Sequence, residues 1–231
     1  ISYYQKSLQN GGDSKIIFYN IGVAFSFLKD YDKAESYYNK SYELNPNDDI
    51  LKKNIAILNI AKQNYKKAWE FYDGRLHLND FINENKNIEI LKDKLWNGDK
   101  ISSNENILII KEQGIGDEIV FSSMYPDILK LFPNCKIETE KRLLSIFKRS
   151  FHDNENFIKY NSISKEKDKL KKFDKVIYAG SLGKLCRNNI KDFPMVPFLF
   201  CENDIKNIMQ KKINKISKKP KIGITWLSKR A

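Results

Sequence analysis

The residue types that could do chemistry lie together in one stretch, Asn106 to Phe121, which reads Asn-Ile-Leu-Ile-Ile-Lys-Glu-Gln-Gly-Ile-Gly-Asp-Glu-Ile-Val-Phe. Gly114 and Gly116 bracket a tight turn where an aliphatic run gives way to a helical pattern, and Asp117 follows at once. Such a turn can aim backbone N–H groups at an anionic or hydroxyl-rich ligand. A carboxylate there can take the proton of an attacking hydroxyl. The same aspartate also suits the start of a helix, where a short acidic side chain accepts orphan N–H groups. Spacing leaves both roles open. Glu112 reads as a solvated carboxylate at a strand end, and Gln113 is presented beside it. The turn has Ile119 where the dinucleotide fingerprint has its third glycine, and it lacks the Lys-Ser/Thr of a phosphate-binding loop, so nicotinamide and ATP readings lose ground.

The elements around the turn set where it must sit. Ile107 to Ile110 are four consecutive aliphatic residues, the pattern of a strand buried on both faces in a parallel sheet. Ile119, Val120, Met124, Ile128 and Leu131 recur at helical spacing and predict a single helix up to Phe132 and the stop at Pro133. Strands are expected at 136–140, 157–160, 173–179 and 221–226, with helices at 143–151 and 204–216 between them. Alternation of this kind predicts an open, mostly parallel sheet with helices on both sides. Ligands of such sheets bind outside the carboxyl ends of the strands. Residues 111–117, the second glycine turn at 180–184 and residues 227–230 are therefore expected to share one edge.

Residues 1–82 repeat themselves. Ser2-Tyr-Tyr-Gln-Lys-Ser7 returns as Ser36-Tyr-Tyr-Asn-Lys-Ser41, about 34 residues on, and by the same offset Gly22 maps on Ala56, Ala34 on Ala68 and Tyr38 on Tyr72. This period, with small residues where two helices must meet, resembles the tetratricopeptide repeat. Phe18, Ile21-Gly22, Phe25, Ala34, Tyr38 and Pro46 carry the likeness in 15–48, and Ile55-Ala56, Ala68 and Tyr72 carry it in 49–82. Asn59 and Arg75 depart from it, which suits a last repeat facing a different neighbour. The resemblance implies a helical solenoid that offers a groove to a protein partner or packs on the next domain. Residues 83–105, with Leu91, Leu95 and Trp96 as apolar anchors, read as a connector that wraps onto that domain.

Composition narrows the class. Hydrophobic residues make up 41% and aromatics 13%, which fits a folded protein. No apolar run is long enough to span a membrane. The formal charge of +12 is carried mainly by 81–231, in lysine-rich runs without interleaved aromatics or a nucleic-acid motif, so solvated lysine faces are expected rather than a nucleic-acid surface. Cys135, Cys186 and Cys201 fit neither a zinc spacing nor a disulfide framework, and His77 and His152 stand apart from other metal-binding side chains. Reduced thiols in the cytoplasm and no metal site are expected. The chain opens at Ile1 inside a helical pattern, which reads as a fragment.

Glu112 to Phe121, together with Leu95-Trp-Asn-Gly98, Phe173 to Leu182 and Ile222-Gly-Ile-Thr-Trp226, resembles the bacterial tetratricopeptide-repeat glycosyltransferase-like proteins, whose catalytic module is similar to the heptosyltransferases. That resemblance implies a multidomain chain: repeats at 1–82, the connector, a Rossmann-like acceptor-side half of a GT-B fold at 106–220, and the start of a second α/β domain at 221–231. It implies a nucleotide-sugar donor as co-substrate, with no further cofactor, and an acceptor, glycan or protein, left unnamed. Asp117 becomes the candidate general base, Gln113, Gly114 and Gly116 the candidate acceptor-binding positions, and Lys229 and Arg230 candidate first contacts to the donor phosphates. Most of the donor site would lie beyond Ala231, so this stretch alone is not expected to catalyse transfer. The competing expectation is a non-catalytic scaffold.

Overall fold

The structure is a computed structural model, and it describes residues 1–86, 88–102, 104–152 and 155–216. Its first part is a stack of helices: α1 (Ser2–Gln9), α2 (Ser14–Phe27), α3 (Tyr31–Leu44), α4 (Asp49–Ala61) and α5 (Tyr65–Tyr72). Aspartates start three of them. Asp13, Asp30 and Asp48 each accept a backbone N–H of the first turn, from Lys15, Lys33 and Leu51, satisfying donors that have no partner within the helix. The turns after α2 and α4 both use a non-glycine residue in the left-handed region, Lys29 and Gln63, each with φ of 60° and one repeat apart. The helices meet at small residues, as the repeat predicts. Ala34, Ala56 and Ala68 are fully buried, and a Cβ added to Gly22 would come within 2.4 Å of the Tyr38 ring.

The second part is a parallel four-stranded sheet in the order β3-β2-β1-β4, with β1 (Ile107–Ile110), β2 (Lys136–Thr139), β3 (Phe157–Lys159) and β4 (Lys175–Tyr178). All three pairings are parallel. β1 is buried throughout, and its side chains alternate between two cores. Ile107 and Ile109 join Ile137, Tyr125, Ile128 and Phe147 on one face. Leu108 and Ile110 join Val176, Tyr178, Phe173 and Leu91 on the other. The first face is covered by α8 (Ile115–Phe121), α9 (Tyr125–Leu131) and α10 (Lys141–Ser150). The second is covered by α6 (Asn79–Glu84), α7 (Ile88–Leu91) and α11 (Lys167–Leu170).

The connector touches both cores. Leu91 lies in the second and Trp96 in the first, and Leu95 makes a parallel bridge to Val176 at the outer edge of β4. The last two helices are α12 (Gly183–Cys186) and α13 (Asn203–Ile216). The strand expected at 221–226 lies outside the described residues.

One expected element is corrected. The single helix from 119 to 131 is two helices, α8 and α9, joined by a 3-10 turn at Ser122–Met124. Pro126 explains the break: it has no N–H to bond back to the carbonyl four residues earlier, and it stands instead in the first turn of α9.

Candidate functional site

β1 and β4 are paired neighbours in the sheet, and ligands of open parallel sheets bind outside the carboxyl ends of the strands. Residues 111–117 and 180–184 do share this edge. Glu112, two residues past β1, accepts the backbone N–H of Gly180, two residues past β4, at 2.5 Å. The third segment expected there, 227–230, lies outside the described residues, and Lys229, Arg230 and Trp226 fall with it.

On the β1 side the backbone is bent to present the turn. Gln113 holds a left-handed φ of 59°, unusual for a side chain of its size, and the Lys111 ammonium donates to its carbonyl at 3.0 Å. Gly114 begins α8, and Asp117 occupies the third helical position. Asp117 Oδ2 accepts the Gly114 N–H at 3.1 Å, the backward half of a capping box. Asp117 is solvent-exposed, together with Gln113, Gly114 and Gly116. The four residues expected to act together are therefore contiguous and open, and one oxygen of Asp117 is already engaged in holding the helix start. α8 is only seven residues long, so it contributes little directed dipole of its own.

Glu112 overturns its expectation of a solvated carboxylate. It is 1% exposed, and Arg75, 4% exposed, clasps it from the 3-10 turn that follows α5. Arg75 Nε donates to Oε2 at 2.9 Å and Nη2 to Oε1 at 2.7 Å. Nη2 also donates to Ser181 Oγ at 2.9 Å, and Nη1 to Asp73 Oδ1 at 2.9 Å. Ser181 Oγ in turn donates to Asp73 Oδ1 at 2.6 Å, and Lys184 completes the group by donating to Asp73 Oδ2. Burial disfavours the charged forms of Arg75 and Asp73, yet Glu112 raises the Arg75 pKa, and Arg75 with Lys184 holds the Asp73 carboxyl below the usual range. The last repeat thus sets a cation at the carboxyl ends of β1 and β4. The second glycine turn serves the same junction. A Cβ on Gly180 would meet Glu112 Oε1 at 2.6 Å, and one on Gly183 would meet the Trp69 ring at 2.4 Å. Trp69 Nε1 donates to the Arg187 carbonyl at 2.7 Å.

A second carboxylate stands outside every expectation from the sequence. Glu118 is fully buried at the head of α8, and burial pushes its pKa up to about 7, opposed by the Glu140 N–H that it accepts at 3.0 Å and by Lys111. Its other oxygen, the Tyr125 hydroxyl and the Thr139 hydroxyl are buried without a hydrogen-bond partner. A signal for it does exist in the spacing. Glu118, Ser122 and Tyr125 are the fully buried stripe, whereas Val120 and Leu131, which apolar spacing places in the core, are exposed. Apolar periodicity is right for Met124 and Ile128 and wrong for Val120 and Leu131, because part of the buried face carries polar residues.

Comparison with known proteins bears on the first part of the chain. The tetratricopeptide-repeat family model matches residues 16–48. That span covers α2 and α3, and it supports a protein-interaction role. No curated protein and no solved structure matches the chain. Among the described residues no group of three or more His, Cys, Asp or Glu side chains could hold a metal ion, and no helix is long and apolar enough to cross a membrane. The three cysteines stand as thiols, Cys135 buried, Cys186 half-buried and Cys201 exposed.

Proposed function

We propose that the chain is the acceptor-side half of a nucleotide-sugar-dependent glycosyltransferase, carried on a tetratricopeptide platform that holds a protein. The observation that supports the first half of this reading is the position of Asp117. It is an exposed carboxylate on a two-glycine turn at the carboxyl end of β1, the end of a parallel sheet outside which ligands bind. In this reading an acceptor hydroxyl lies across the exposed backbone of Gly114 and Gly116, with Gln113 at its side. The free oxygen of Asp117 takes the hydroxyl proton as it attacks the anomeric carbon, and the nucleoside diphosphate leaves. Orientation on a rigid turn supplies the rest. In the same reading Lys229 and Arg230 are the first cationic contacts of the donor phosphates.

The test uses full-length protein and a panel of nucleotide sugars, with donor turnover as readout. Asp117→Asn keeps an oxygen to accept the Gly114 N–H but cannot take a proton. Turnover is expected to fall ~100-fold or more while thermal unfolding stays within ~1 °C. Unchanged turnover would leave Asp117 with helix capping alone.

One observation favours a second reading, a non-catalytic scaffold: Arg75 occupies the space between Glu112 and Ser181 at the carboxyl ends of β1 and β4, the edge where a ligand would bind. In that case no nucleotide sugar turns over in wild-type full-length protein, and the α/β half serves as a rigid cap on the repeats.

A further inference from the structure

The repeats present a surface whose chemistry selects among partners. On α4, Ile50 and Ile57 lie two turns apart on a face turned away from the buried Leu51, Ile55 and Leu58, and they remain 53% and 48% exposed. On α2 the same positions, one repeat earlier, are Ile16, 52% exposed, and Val23, with Phe27 exposed one turn further on. The two stripes belong to adjoining helices, since Asn54 Nδ2 donates to the Tyr19 hydroxyl between them at 2.9 Å. Exposed isoleucines at the same positions of neighbouring repeats mark one apolar face rather than scattered contacts. One charge interrupts it. Lys53 lies between Ile50 and Ile57 on the exposed side of α4, and it makes no ion pair among the described residues. The neighbouring lysines differ: Lys52 pairs with Asp49, and Lys62 with Asp32 and Glu35.

We infer that this face receives a peptide segment in which an acidic residue stands between two aliphatic ones, the acid meeting Lys53 and the aliphatic side chains meeting the isoleucines. The spacing follows from the helix. Ile50 and Ile57 are ~10 Å apart along α4, the distance that about three residues of extended chain cover. A free cation flanked by apolar side chains discriminates by sign. A basic residue placed there would face a like charge at the centre of a desolvated contact. This rests on the reading that the repeats hold a protein, and it specifies which segment of that protein is held.

Random peptides displayed on phage and selected on the immobilised full chain test it. The expected consensus is Asp or Glu between two aliphatic residues. Selection on Lys53→Glu should exchange the acid for Lys or Arg. A synthetic peptide of the wild-type consensus should bind Ile57→Asp, a surface change, at least tenfold more weakly, with thermal unfolding unmoved. A consensus without the acid, or one unaltered by Lys53→Glu, overturns this inference while the protein-binding reading stands. No enrichment above that on an Ile50→Asp/Ile57→Asp chain removes both.

Discussion

Gly22 and Gly183 have nearly identical surroundings and quite different origins. Each lies under an aromatic ring that a Cβ would strike at 2.4 Å, Tyr38 over the first and Trp69 over the second. Gly22 and Tyr38 belong to one helical hairpin, and the sequence repeats the pair of positions one period later as Ala56 and Tyr72. Gly183 and Trp69 are far apart in the chain and join the repeats to the sheet. The repeat is a local solution applied twice, so its packing appears in the sequence as a period. The junction is a single non-local solution, and its polar centre makes it costly to disturb. Arg75 and Glu112 are both buried, and each removes the penalty of the other.

That contrast can be broken most sharply at Arg75. Arg75→Met strands the Glu112 carboxylate in a buried site, and unfolding free energy from denaturant titration should fall by ~3–5 kcal/mol. Adding Glu112→Leu should recover most of the loss, because the uncompensated charge is then gone. A fall below ~1 kcal/mol would mean that water reaches the pair. Next in size is the glycine comparison itself. Gly22→Ala and Gly183→Ala should each cost ~1–3 kcal/mol through overpacking. Gly22→Ala should depress the helical far-ultraviolet signal of the repeats first, whereas Gly183→Ala should first free the Trp69 indole and shift its fluorescence to the red.

Glu118 sharpens the comparison from the sheet side. Its folded pKa of about 7 lies above its unfolded value, so the folded state binds the extra proton. The stability it contributes is complete below the unfolded pKa and declines as pH rises toward 7, after which both states are ionised. Glu118→Gln should flatten this decline and raise stability at pH 8 by ~1–3 kcal/mol, the worth of one or two pKa units. An identical pH profile for wild type and variant would show that Glu118 is ionised when folded. The smallest effect is expected at the site itself. Asp117→Ala should cost ~0.5–1 kcal/mol, the ordinary value of a half-satisfied cap on an exposed helix start, measurable as a fall in denaturation midpoint with an unchanged slope.

Much of the fold is legible in the chain. The four aliphatic residues of β1 suit only a strand covered on both faces, and the glycine turn beyond it then lies at the carboxyl edge. The two-glycine turn and Asp117 form one exposed patch because they are neighbours in sequence. Three features escape a reading by apolar spacing, each for its own physical reason. Glu112 looks like any carboxylate at a strand end until Arg75, a distant residue of the last repeat, is placed against it. Glu118 is missed because hydrophobic periodicity weighs apolar residues, and the buried stripe of α8 carries a carboxyl and a hydroxyl. The helix expected across 119–131 divides at Pro126 because spacing counts side chains and not missing N–H groups.

By itself, the order of residues determined everything that depends on near neighbours: helical hairpins repeated at a fixed period, a parallel sheet of short aliphatic strands, and an acidic turn at the end of the first strand. Helix spacing, caps and strand alternation act over a few residues, so their causes lie side by side in the chain. Only the tertiary structure decided how the last repeat meets the sheet, and so that Arg75 is set against Glu112 at the carboxyl ends of β1 and β4. Burying charge is favourable only when the partner arrives from elsewhere in the chain, and which partner arrives is a property of the folded whole.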